Sequence, residues 1–165
     1  MVKPNLTVIE ILWEGPLKIE DAKKKTDKDT DYGLYQVYGT HNIYGANTLL
    51  YIGKASEQEL GNRILQHDSW TSIEQSELTI YFGRLGGTYE IDNKTWTDFI
   101  GNAETLLIYY CSPAYNSKSI NSVGILKDLI VLNHGKKNIL PFEVSTLLLD
   151  SQYNEDSNWR IFGSK

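Results

Sequence analysis

The chain is expected to fold as an α/β protein: a small, mainly antiparallel central β-sheet flanked by helices. Three stretches carry that expectation. GLYQVYG (33–39) and LLYIG (49–53) are rich in β-formers and are divided by the turn-like residues 40–47, so they pair as a hairpin. LTIYFGRL (78–85) is a further strand that ends before Gly86-Gly87. Residues 98–111 space Phe99, Ala103, Leu106, Leu107 and Tyr110 along one helical face, with Pro113 just beyond.

The other elements follow along the chain. LTVIEILW (6–13) reads as a strand. Gly15-Pro16 is expected to break it, because Pro16 suits the first turn of a helix. The charged run LKIEDAKKKTDKD then predicts a short helix. After the hairpin, Ser56 is placed to cap a helix over 57–67, with Glu59 as its capping-box partner and Leu60, Ile64 and Leu65 on the buried side. In the last third, DLIVLN reads as a strand or a buried helix, and FEVSTLLLD and NWRIFG read as strands. Asn133 to Lys137 carry a turn signal. No repeat or linker divides the 165 residues, so one domain is expected over 1–165, with elaborations at both ends.

Bulk composition narrows the classes of function. Apolar residues make up 41% and charged residues 22%, an ordinary globular balance. Cys111 is the only cysteine, so no disulfide within the chain is possible and a reducing compartment is expected. The opening residues lack a signal-peptide pattern, and no apolar run reaches the ~18 residues of a membrane span. A cytoplasmic protein is the expectation. The net charge of −5 argues against tight, indiscriminate binding of nucleic acid, whose phosphates reward basic surfaces. Eleven Tyr and four Trp exceed what a core of this size needs, which places some rings on partly exposed surface.

Three features carry chemistry. Gly33-Leu34-Tyr35 and Tyr51-Ile52-Gly53 each bring a Tyr and a Gly to the paired strands, and glycine allows close approach of a backbone or ligand. Arg63 and His67 are four residues apart and share a helical face. Arg offers planar, permanently charged donors to phosphate, and His moves protons near neutral pH. Glu104 lies beside an apolar helical stripe, where a carboxylate needs a partner, a metal or water. Taken singly, each has a plainer explanation: strand tyrosines, a solvated helix face, a lone Glu pointing to water.

In order, GLY…YIGKA…L..RI..H followed by E…P..N resembles the GIY-YIG nuclease superfamily over about residues 31–118. Tyr35 and Tyr51 fall on the signature tyrosines, Arg63 on the helix arginine, His67 on the His-or-Tyr position one turn later, Glu104 on the metal-binding glutamate, and Asn116 on the asparagine after Pro. Two departures stand out. Fifteen residues (36–50) separate the two signatures, more than the family usually carries, and no basic DNA-binding domain offsets the acidic charge.

The resemblance implies an endonuclease that hydrolyses phosphodiester bonds in DNA, with RNA also open. It implies Mg2+, with Mn2+ able to replace it, bound at Glu104 and acting as a Lewis acid on the phosphate. Arg63 would stabilise phosphate charge. Tyr35 would orient or deprotonate the attacking water, provided Arg63, Lys54 and the metal lower its pKa. His67 would relay the proton, Tyr51 would hydrogen-bond the phosphate or position Tyr35, Lys54 would contact the phosphate, and Asn116 would support the Glu104 region. The competing reading is a non-catalytic nucleic-acid-binding or interaction module that keeps the GIY-YIG fold. Arg84, Lys118, Lys136 and Lys137 are most simply solvated, Cys111 is most simply core, and Trp13, Trp70, Trp96 and Trp159 are most simply packing residues.

Overall fold

A computed structural model describes residues 6–66, 77–125 and 127–147. The expected sites His67 and Trp70, Trp159 and the strand expected over NWRIFG lie outside the described residues.

Among the described residues, six strands and three helices are arranged β1 (Thr7–Lys18), α1 (Ile19–Ala22), β2 (Gly33–His41), β3 (Gly45–Ala55), α2 (Leu60–Leu65), β4 (Thr79–Gly86), α3 (Asn93–Cys111), β5 (Leu129–Gly135) and β6 (Glu143–Ser145). They form one sheet in the order β3-β2-β4-β1-β5-β6. The α/β expectation holds and the sheet is mainly antiparallel, as expected, though one parallel pairing makes it mixed. Four pairings are antiparallel, but β1 and β5 run parallel from Thr7↔Leu129 to Trp13↔Gly135. Most of the chain lies between these two strands, so no short connection forces them antiparallel.

Alternation along the strands builds a core on each face. Ile9, Ile11 and Trp13 of β1, Leu34 and Tyr38 of β2 and Val131 of β5 pack with Ile100, Ala103, Leu106 and Leu107 of α3. Tyr35 and Val37 of β2, Leu50 of β3, and Ile80 and Phe82 of β4 pack with Ile19 and Ala22 of α1 and Leu60 and Ile64 of α2. This is why β2 is buried from Gly33 to Gly39. Trp13 is core, as expected, and its Nε1 donates to Asn133 Oδ1 at 2.9 Å.

Several boundaries differ from expectation. Gly15-Pro16 does not end β1: the strand runs on to Lys18, with a register shift between Glu14 and Leu17. A bulge tolerates a proline that has no N–H to give to the ladder. The charged run supplies only the four-residue α1. Ser56 does not cap α2, which begins at Leu60 after Glu59 and has no side-chain cap. Its first amides instead donate to carbonyls of the preceding loop, Leu60 to Asp31 at 2.8 Å and Gly61 to Lys25 at 2.7 Å. Gly61 permits that docking, since a Cβ there would lie 2.4 Å from the Lys23 carbonyl oxygen. Leu65 is 59% exposed rather than buried, because α2 ends in that turn.

Helix α3 starts five residues earlier than its apolar stripe suggests. Asp92 caps it, accepting from the Thr95 backbone N–H at 2.9 Å and the Thr95 hydroxyl at 3.0 Å. It ends at Ser112 in the left-handed conformation, directly before Pro113. DLIVLN resolves as strand β5, and β6 takes three residues of FEVSTLLLD. Among the described residues no helix is long and apolar enough to cross a membrane.

Candidate active site at the edge of the sheet

β3 is an edge strand, so groups from both faces of the sheet can meet around it. Tyr35 of β2 stands opposite Gly53 of β3, and Val37 stands opposite Tyr51. Tyr35 and Tyr51 are therefore diagonal neighbours on one face, and their rings stack with centroids 6.1 Å apart. The glycine admits a side chain here: a Cβ on Gly53 would sit 2.5 Å from the Tyr35 hydroxyl oxygen and 2.6 Å from Tyr51 Cε1. Without that Cβ, the Tyr35 ring crosses β3 and brings its hydroxyl toward the edge.

Helix α2 packs on the same face and supplies Arg63, whose guanidinium lies close enough to the Tyr35 hydroxyl to pull its pKa down. From the other face comes Glu104 of α3. Its carboxylate lies 3.3 Å from the Lys54 ammonium, at the end of β3. Lys54, Arg63 and Glu104 line one cleft of about 230 Å3 together with Ser56, Glu57 and Gln58. Thus β2, β3, α2 and α3 converge at the edge.

Asn116 takes a different place from the charged groups. Its Oδ1 accepts from the Ile52 N–H at 3.0 Å and its Nδ2 donates to the Ile52 carbonyl at 2.9 Å. The side-chain amide acts as a missing neighbouring strand. The amides of Ala114 and Tyr115 add bonds to the carbonyls of Leu49 and Leu50. This segment closes the β3 edge and holds the strand that carries Tyr51 and Lys54.

Burial dominates the site's electrostatics. It pushes the Tyr35 phenol well above its ordinary pKa, assisted by Tyr51, and Arg63 only partly opposes it. Arg63 lowers this pKa, as expected of a cationic neighbour, but burial outweighs it, and a neutral phenol can donate a hydrogen bond. Tyr51 is raised by burial and by the Glu104 charge, again against Arg63. Glu104 is raised because it is desolvated, with Lys54 and Arg63 pulling the other way. A carboxylate held at a raised pKa beside two cations gains from any further positive charge brought to it.

Among the described residues no cluster of three or more His, Cys, Asp or Glu side chains is placed to hold a metal. A single carboxylate still suits Mg2+, which keeps most of its waters and shares one or two carboxylates with substrate phosphate. The donor set fits an ion that arrives with the phosphate better than one held by protein alone.

Ser56, Glu57 and Gln58 were not expected in the cleft. Their signal was adjacency, since they fill the short turn between the Lys54 strand and the Arg63 helix. Arg84 is not a solvated cation. It pairs with Glu14, pairs with Asp31 at 3.1 Å and donates to the Thr30 carbonyl at 2.9 Å. Lys118 and Lys136 are exposed, as expected. Cys111 packs against the α3-side core, and its thiol is pushed up to about 11 by burial.

Comparison of the chain with protein-family models, curated proteins and solved structures finds no match.

Proposed function

We propose that this protein is a divalent-metal-dependent endonuclease that hydrolyses phosphodiester bonds in DNA, with a site of the GIY-YIG kind. One observation carries the reading: Tyr35, Tyr51, Lys54, Arg63 and Glu104 lie 69 residues apart at the extremes of sequence yet gather at one sheet edge, three of them lining one small cleft. Phosphodiester hydrolysis needs donors for phosphate charge, an oriented water and a carboxylate able to share a cation, and this set supplies each.

In this reading Arg63 and Lys54 bind the scissile phosphate, and the Arg63 guanidinium stabilises the charge that grows on its oxygens. Tyr35, neutral and beside Arg63, orients the attacking water by hydrogen bonding. Tyr51 packs against Tyr35 and turns its own hydroxyl to the phosphate. Glu104 would hold Mg2+ or Mn2+, which supplies Lewis-acid activation of the phosphate when bound. Phosphate drawing Lys54 away would free the Glu104 carboxylate for that role. His67 follows α2 in sequence, and its proposed part is to pass the water's proton on. Asn116 supports the strand.

The alternative is a non-catalytic module that binds nucleic acid or another partner. The Lys54–Glu104 pair favours it, since that lysine already neutralises the carboxylate proposed to hold the metal. Supercoiled plasmid incubated with Mg2+, Mn2+ or EDTA, beside Glu104→Ala, separates the two. Metal-dependent nicking or linearisation that the variant lacks supports the nuclease. Intact plasmid and intact single-stranded DNA and RNA with both folded proteins would favour the binding module.

A further inference from the structure

A second, larger groove adjoins the cleft. It encloses about 910 Å3, and its lining includes Lys28, Tyr32, Ser56, Asn93, Trp96 and Thr97. Ser56 lines both depressions. Helix α3 links them too: Asn93, Thr97, Gly101 and Glu104 follow one another at intervals of four, four and three, along one face of the helix. Asn93 and Thr97 line the groove, and Glu104 lines the cleft. At Gly101 the helix adds no side chain of its own, and a Cβ there would meet the Lys54 ammonium, 3.6 Å away, which thus overhangs the stretch between the two. From residue 93 to 104 the floor runs about 16 Å at helical rise. That length suits roughly four to five stacked nucleotides at 3.4 Å each.

We infer that this groove binds the unpaired polynucleotide strand flanking the scissile phosphate. The inference rests on the nuclease reading for what occupies the cleft, and it adds where the rest of the strand lies. Grooves for single strands combine aromatic faces, on which any base stacks, with backbone cations. Here Tyr32 and Trp96 are half-buried aromatic walls, Lys28 is exposed at the rim, and Ser56, Asn93 and Thr97 supply neutral hydrogen-bonding groups. Arg84 at the groove is committed to Glu14 and Asp31, which leaves Lys28 as the lining lysine for backbone phosphate. So small a cationic contribution fits the acidic chain, and it means that stacking carries the affinity. DNA and RNA strands share this chemistry.

The test is fluorescence anisotropy with labelled oligothymidylate and oligouridylate of increasing length, and a matching duplex, on wild-type protein in EDTA. The variants are Tyr32→Ala for stacking, Thr97→Glu and Lys28→Glu at exposed positions that the core does not need, and the exposed Lys136→Glu as control. Circular dichroism checks folding. The inference expects single strands to bind more tightly than duplex. Tyr32→Ala weakens binding by roughly 5- to 150-fold, the usual worth of one stacked base. Thr97→Glu weakens it by several-fold, Lys28→Glu lowers the salt slope by roughly 0.7, and Lys136→Glu changes nothing. Duplex preference, absence of single-strand binding, or groove variants that bind as wild type would each overturn the inference, even if plasmid is cut. Strand binding lost in the groove variants, from a protein that never cuts, would leave the groove standing and remove the nuclease reading.

Discussion

Gly53→Ala is the sharpest perturbation available, because one methyl group acts on both the fold and the site. The added Cβ would lie 2.5 Å from the Tyr35 hydroxyl oxygen, 2.6 Å from Tyr35 Cζ and 2.6 Å from Tyr51 Cε1. Three such contacts on two stacked rings cannot be relieved by one rotation, since Tyr35 is 0% exposed in the core. Overpacking of this kind costs about 1–3 kcal/mol. In a chain of this size that lowers Tm by roughly 2–12 °C. Thermal unfolding followed by circular dichroism measures it, with plasmid cleavage as the functional readout. Cleavage should fall further than stability, because the Tyr35 hydroxyl is displaced from Arg63 even in folded molecules. Adding Tyr35→Phe removes the nearest atom, so the double variant should be destabilised less than the sum of the singles. If Gly53→Ala melts within about 0.5 kcal/mol of wild type, a typical surface substitution, with cleavage intact, the crossing of Tyr35 over β3 is wrong.

Other outcomes follow from the same geometry. Glu104→Gln abolishes cleavage yet stabilises the fold. The raised native pKa means the native state keeps this proton after the unfolded chain has lost it, so stability falls as pH rises from the unfolded value, about 4.3, through the native one. Removing that charge should therefore stabilise the fold near pH 7 and change nothing at pH 3, read from urea titrations. Arg63→Lys loses the planar fork and should cut the cleavage rate by roughly 10²-fold or more at unchanged Tm. Asn116→Ala strips both bonds from the Ile52 backbone and should cost about 1–3 kcal/mol by thermal melt. Cys111, with its thiol held at about 11, should react with a disulfide reagent at pH 8 roughly a hundredfold more slowly in the native state than in urea.

The local parts of this molecule were legible in the sequence. Strand alternation, the turn residues between β2 and β3, and the apolar stripe of α3 depend on neighbours a few residues away, and so did the order of Tyr35, Tyr51, Arg63 and Glu104. The misjudged boundaries were those where distant groups replace local signals. Loop carbonyls at residues 25 and 31, not Ser56, satisfy the first amides of α2, and a register shift against β4 lets β1 pass Pro16. The Asp92–Thr95 cap was present in the sequence, but it lies ahead of the apolar residues that drew the helix.

By itself the sequence determined an α/β chain, its hairpin, its long helix, and which residue types carry chemistry, because periodicity and turn propensity are short-range. Tertiary structure alone decided the parallel pairing of β1 with β5, whose partners lie 122 residues apart. It also decided that Gly53 serves the Tyr35 ring, that Lys54 meets Glu104 around an edge strand, and that the Tyr35 phenol is raised rather than lowered. Contacts between distant segments and the loss of water around a charged group exist only once the faces of the sheet are covered.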